Sequence, residues 1–125
     1  MKREIIKTDL APSAVGPYSQ AIKIGNMLFI SGQIPLDNLG NIVGGNVEDQ
    51  AHQVLTNLKA IIIAANFNLE NVVKCTCFLK NMDDFVIFNA VYSEYFNNIL
   101  PARECVEVSK LPKDVLVEVS AICIQ

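Results

Sequence analysis

Arg103, Cys105 and Glu118 are the residues of this 125-residue chain whose types and placement could do chemistry. Arg103 and Cys105 lie in Pro101-Ala102-Arg103-Glu104-Cys105-Val106-Glu107-Val108, and Glu118 lies in Val115-Leu116-Val117-Glu118-Val119. Both stretches read as strands, and alternate side chains of a strand share a face. Arg103, Cys105 and Glu107 therefore point one way, and Glu118 shares a face with Ser120. Pro101 suits the first position of a strand or an edge, where no ladder donor is needed. Two readings fit an arginine and a glutamate set in apolar strands. If the strands are neighbours, Arg103 can hold an anionic group in a bidentate fork, with Glu118 opposite as an acid, a base or a holder of water. Alternatively, the two form a structural ion pair on a half-exposed sheet face. The residues alone favour the ion pair, because such pairs are common and active sites are few.

The elements that must position these groups follow in chain order. Arg3 to Thr8 reads as a short strand, and residues 9–17 as a loop rich in Ala, Pro, Ser and Gly. Tyr18 to Ile24 and Met27 to Ile34 are strand-like runs joined by Gly25-Asn26, a tight hairpin signal. Ser31-Gly32 interrupts the second run, marking a bulge or a close approach to a ligand. After a loop to Gly45, Asn46 is a plausible N-cap for a helix over 47–65, with Asp49 at its third position. Val47, Ala51, Val54, Leu58, Ile61, Ile62 and Ala65 form its apolar stripe. His52 falls on the flank of that stripe and reads as a solvated surface residue. Val72 to Lys80 is a further strand. Asn81 caps a second helix with Asp83 and Asp84 in its first turn, where negative charge is favoured. Phe85, Phe88, Tyr92, Tyr95 and Phe96 are its apolar face, read as core. Asn89 sits at the edge of that face, either as a packing anchor or as a pocket donor.

The order is β-β-β-α-β-α-β-β in a single domain over residues 1–125. It predicts an α/β (α+β) fold, a mixed sheet of about six strands with two helices packed on one face. In the last strand, Val115, Val117, Val119, Ala121 and Cys123 are apolar, and the opposite set includes Leu116, Ile122 and Ile124. A strand apolar on both faces is buried on both. Two helices cannot cover both, so a second subunit is expected over the open face.

Composition narrows the function. Hydrophobic residues make up 51% of the chain, enough for a packed core. The net charge of −3 carries no basic run, which gives no electrostatic support for nucleic-acid binding. The longest apolar helical stretch, residues 60–65, is far too short to span a bilayer, and the start has no signal-peptide pattern. A cytoplasmic address is expected. Cys75, Cys77, Cys105 and Cys123 make no C-x-x-C pair and the only histidine is His52, so no metal site is expected. The cysteines read as reduced, small hydrophobes.

Five segments, in this order, carry a resemblance over nearly the whole chain. They are Gly16-Pro17-Tyr18-Ser19-Gln20, Ile30-Ser31-Gly32-Gln33-Ile34-Pro35, Phe88-Asn89-Ala90-Val91-Tyr92, residues 101–108 and Leu111-Pro112-Lys113-Asp114-Val115-Leu116-Val117-Glu118-Val119. The set resembles the RidA/YjgF reactive intermediate deaminases. The resemblance implies a chorismate-mutase-like fold and a homotrimer with sites at the subunit interfaces. It implies hydrolysis of 2-imino acids, and of enamine tautomers such as 2-aminoacrylate, to 2-keto acids and ammonia, without cofactor or metal. Carried over, Arg103 binds the substrate carboxylate and Glu118 positions or activates water. Tyr18, Ser31, Gly32, Asn89 and Cys105 line the pocket. Glu104 stands where the family often has a small residue, with its side chain pointing away from Arg103. Ser120 stands where many members have a second glutamate. These departures bear on substrate preference. The alternative is a regulatory trimer that senses a small keto acid or other carboxylate in the same pocket without turnover. A chorismate mutase has only fold analogy behind it.

Overall fold

The computed structural model describes residues 1–125. Eight main elements occur in the expected order. They are β1 (Arg3–Ile6), β2 (Ala21–Ile24), β3 (Met27–Gln33), α1 (Val47–Ala64), β4 (Val72–Leu79), α2 (Phe85–Tyr95), β5 (Ala102–Glu107) and β6 (Val117–Ile124). The strands form one mixed sheet in the order β1-β2-β3-β6-β4-β5. Only the β4–β5 pair is parallel, with α2 as its crossover. The last strand thus inserts at the centre, where its doubly apolar sequence belongs.

Local chemistry sets most boundaries. Gly25 takes φ 57°, the left-handed region open to glycine, and the two-residue loop Gly25-Asn26 pairs Ile24 with Met27. The Asn46 side chain accepts from the Asp49 amide and starts α1. Asn81 caps a short 3₁₀ turn, Met82–Asp84, that leads into α2. Glu107 Oε1 accepts from the Met82 amide at 2.8 Å, tying the end of β5 to the start of that turn.

Two strands are shorter than their apolar runs. The second strand is predicted from Tyr18 but begins at Ala21. The buried Gln20 amide turns aside to bond Thr8 and the Pro12 carbonyl, and so fixes the preceding loop. The last strand is predicted from Val115 but begins at Val117. A 3₁₀ turn fills Pro112–Asp114, and the Leu116 amide donates to the buried Gln50 side chain. In both places a buried amide side chain satisfies backbone groups that a ladder would otherwise take.

Both helices pack on one face. Leu28, Ile30, Cys75, Cys77, Leu79, Val117, Val119, Ala121 and Cys123 meet Val54, Leu58, Ile61, Ile62, Phe88 and Tyr92 in one buried cluster. The other face carries no helix. Across it runs a row in direct register, Ile5, Ile22, Phe29 and Ile122. Ile5 is 63% and Phe29 40% exposed. His52 is more engaged than its flank position implies: its Nδ1 lies 2.9 Å from the Tyr95 hydroxyl and links the two helices.

Candidate active site

Arg103 and Glu118 are not on neighbouring strands, because β4 lies between β5 and β6. Arg103 pairs with Cys75, and Cys75 with Ala121; Glu118 pairs with Phe78. Strand spacing and rise then put their Cα atoms about 14 Å apart. They also point oppositely. Arg103 shares a side with the buried Cys75, toward the helices, whereas Glu118 alternates with the buried Val117 and Val119 and so lies on the helix-free face. No Arg103–Glu118 ion pair forms within the chain. The structure therefore overturns the structural ion pair and divides the candidate residues into two groups.

The first group gathers on β5 and α2. Arg103 Nη1 donates to Asn89 Oδ1 at 2.8 Å. Its guanidinium lies over the Tyr92 ring, 4.7 Å from the ring centre. Cys105 shares the Arg103 face, half-buried and in register with Cys77. Burial pushes the Cys105 thiol up, against the opposing pull of Arg103. A thiol so raised is a poor nucleophile at neutral pH. Glu104 points away from Arg103 as its parity requires, and bonds Lys74 Nζ at 2.7 Å on the other face.

The second group gathers where β3 meets β6. A β-bulge between Ile30 and Gln33 breaks the ladder at Ser31-Gly32. Glu118 lies directly over Gly32. A Cβ there would collide with Glu118 Oε2 and stand 2.9 Å from its Cδ. Gly32 is therefore glycine because the carboxylate occupies the space a side chain would need. Ser31 Oγ donates to the Ser19 carbonyl at 2.6 Å, which anchors the bulge to the Tyr18 loop. Tyr18, Gly32, Gln33, Ile34, Lys113 and Glu118 line a cleft of about 340 Å³. Burial raises the Glu118 pKa above the ordinary carboxylate value, and no cation within the chain offsets it.

Sequence reasoning missed two features. The Tyr92 ring reads as core, yet it carries Arg103 on its face; its three-residue spacing from Asn89 on one helix was the available signal. The cleft walls Gln33 and Lys113 are joined to Glu118 only by tertiary folding.

Replacing Gly32 by alanine is expected to displace the Glu118 carboxylate at an overpacking cost of about 1–3 kcal/mol. The check is melting temperature alongside turnover: a folded protein with sharply reduced turnover is the expected outcome.

Residues 8–125 match the sequence profile of the family described as Endoribonuclease L-PSP. The chain belongs to this family, the RidA/YjgF proteins. A RutC family protein of Pyrococcus horikoshii is 57% identical over 121 residues, 96% of each chain. The 2-iminobutanoate/2-iminopropanoate deaminase of Salmonella typhimurium is 46% identical over 123 residues, again 96% of each. The YjgF gene product of E. coli superposes with a TM-score of 0.94 at 44% identity, over 98% of both chains. The six-stranded sheet with its two helices is thus the RidA/YjgF fold.

Proposed function

We propose that this RidA/YjgF protein hydrolyses 2-imino acids, such as 2-iminobutanoate and 2-iminopropanoate, to 2-keto acids and ammonia. The proposed site joins the Arg103 group of one subunit to the Glu118 group of a neighbour. The observation that carries the reading is the separation of the two groups. An anion holder fixed by Asn89 faces one side of the sheet, and an unpaired carboxylate raised by burial faces the other. One small substrate can meet both only across two chains. The apolar row on the helix-free face supplies a surface that a neighbour can cover. The Salmonella relative, named a deaminase for these imines, supports the choice of reaction.

The chemistry needs little more. The Arg103 fork binds the substrate carboxylate through two parallel hydrogen bonds. The protonated imine carbon is already electrophilic, so positioning supplies much of the rate. Glu118 takes a proton from water as the water oxygen bonds to that carbon. The resulting carbinolamine receives that proton from Glu118 on nitrogen, the C–N bond breaks and ammonia leaves, and the ionised Glu118 takes the hydroxyl proton as the carbonyl forms. An enamine substrate first takes a proton on its terminal carbon to give the same imine. Tyr18, Ser31 and Gly32 from the Glu118 side, with Asn89 and Cys105 from the Arg103 side, wall the pocket. No step requires a cofactor or metal.

The direct test generates imino acids in situ with an amino-acid oxidase and follows keto acid and ammonia release. Acceleration over the spontaneous rate is expected, and the spontaneous rate alone would refute deamination. Sedimentation equilibrium is expected to give the trimer mass at micromolar concentration, and a monomer there would remove the shared site. Cys105→Ala is expected to keep substantial turnover, because a pocket wall needs volume more than a thiol. Loss of turnover in an intact trimer, with a trapped covalent adduct in the parent, would make Cys105 the nucleophile.

A further inference from the structure

Asn89 fixes Arg103 at one nitrogen only, through a single hydrogen bond from Nη1. One hydrogen bond leaves the guanidinium plane free to turn. A bidentate carboxylate clamp needs that plane held in one orientation. The aromatic residues of α2 supply what is missing. The guanidinium carbon lies 4.7 Å from the centre of the Tyr92 ring, 5.6 Å from that of Phe85 and 6.0 Å from that of Phe88. At these distances the negative face of a ring attracts the cation. Tyr92 is the nearest and is held in place: it is 6% exposed, and its ring packs against Phe88 at 5.8 Å and Phe96 at 4.8 Å. Its hydroxyl is buried against the Cys75 thiol. The part of Tyr92 that touches Arg103 is the face of the ring.

We propose that Tyr92 is a positioning residue: its ring face holds the Arg103 guanidinium in the orientation that receives the substrate carboxylate. This rests on Arg103 being the carboxylate holder, and the experiment separates the two. Affinity for 2-ketobutyrate is measured on variants of Tyr92 and Arg103 together with their melting temperatures. Tyr92→Phe keeps the ring and is expected to bind within about twofold of the parent. Pentafluorophenylalanine at position 92 keeps nearly the same shape but reverses the ring quadrupole. It is expected to weaken binding by roughly threefold to thirtyfold relative to Tyr92→Phe. Tyr92→Leu removes the ring, is expected to weaken binding similarly, and decides the question if the fluorinated protein fails to fold. In an Arg103→Ala background the fluorination effect is expected to vanish. A core-packing role alone would lower melting temperatures without separating the fluorinated ring from phenylalanine in affinity. Equal affinity of the two folded ring variants, or of Tyr92→Leu and the parent, overturns the role of Tyr92. Parental affinity in Arg103→Ala overturns the clamp itself.

Discussion

Replacing Glu118 with glutamine is expected to slow imine hydrolysis by about a hundredfold to ten-thousandfold, the usual range for losing a general base. Keto-acid binding should survive, because glutamine keeps the size and one acceptor. A pH signature accompanies the loss. Burial raises the Glu118 pKa, so the parent enzyme should lose activity, as pH falls, at a higher pH than an ordinary glutamate would impose. The glutamine variant should lack that acid limb. Stability moves the other way. A carboxyl whose folded pKa is raised stabilises the fold fully below its unfolded pKa, and that contribution is lost as pH rises through the folded pKa. At neutral pH the ionised Glu118 is therefore a cost within each chain, and in an Arg103→Ala background, where no neighbouring guanidinium offsets it, adding Glu118→Gln should not lower the melting temperature. Unchanged deamination by the folded variant would take Glu118 out of the mechanism.

Arg103→Lys is expected to damage catalysis nearly as much as Arg103→Ala. Lysine keeps the charge, but it loses the planar fork and with it the second hydrogen bond. A charge-assisted hydrogen bond is worth roughly 1.5–3 kcal/mol, so each variant should bind keto acids about tenfold to a hundredfold more weakly. Keto-acid affinity and melting temperature are the checks. Parental affinity in a folded Arg103→Lys protein would refute the clamp.

The parity of β5 and β6 is legible in the sequence, because side-chain alternation is local. Arg103 with Cys105, and Glu118 against the buried Val117 and Val119, fall as their positions require. The Gly25-Asn26 hairpin and the Asn46 cap are legible for the same reason. What parity cannot supply is the order β6-β4-β5, which depends on pairings distant in sequence. That order separates Arg103 from Glu118, and the register through Cys75 and Ala121 turns them to opposite faces. The strand ends at Gln20 and Leu116 were hidden for a related reason. Long-range bonds from the Gln20 and Gln50 side chains override the local apolar runs. The core role read for α2 aromatics is correct for Phe88, while Tyr92 both packs in the core and carries Arg103 on its face.

The division of the site between subunits is tested most directly by mixing two inactive parents. Arg103→Ala chains retain Glu118, and Glu118→Gln chains retain Arg103. Unfolded together in equal amounts and refolded, they form mixed assemblies. Wherever a Glu118→Gln chain presents Arg103 to the Glu118 of an Arg103→Ala neighbour, one intact site is rebuilt. Random assembly of a closed ring makes about a quarter of all sites intact. The expected result is deaminase activity near a quarter of the parent value, from a mixture whose separately refolded components have almost none. Activity no greater than the sum of those components, in a mixture shown to contain hybrid assemblies, would place both residues of each site in one chain and contradict the shared site.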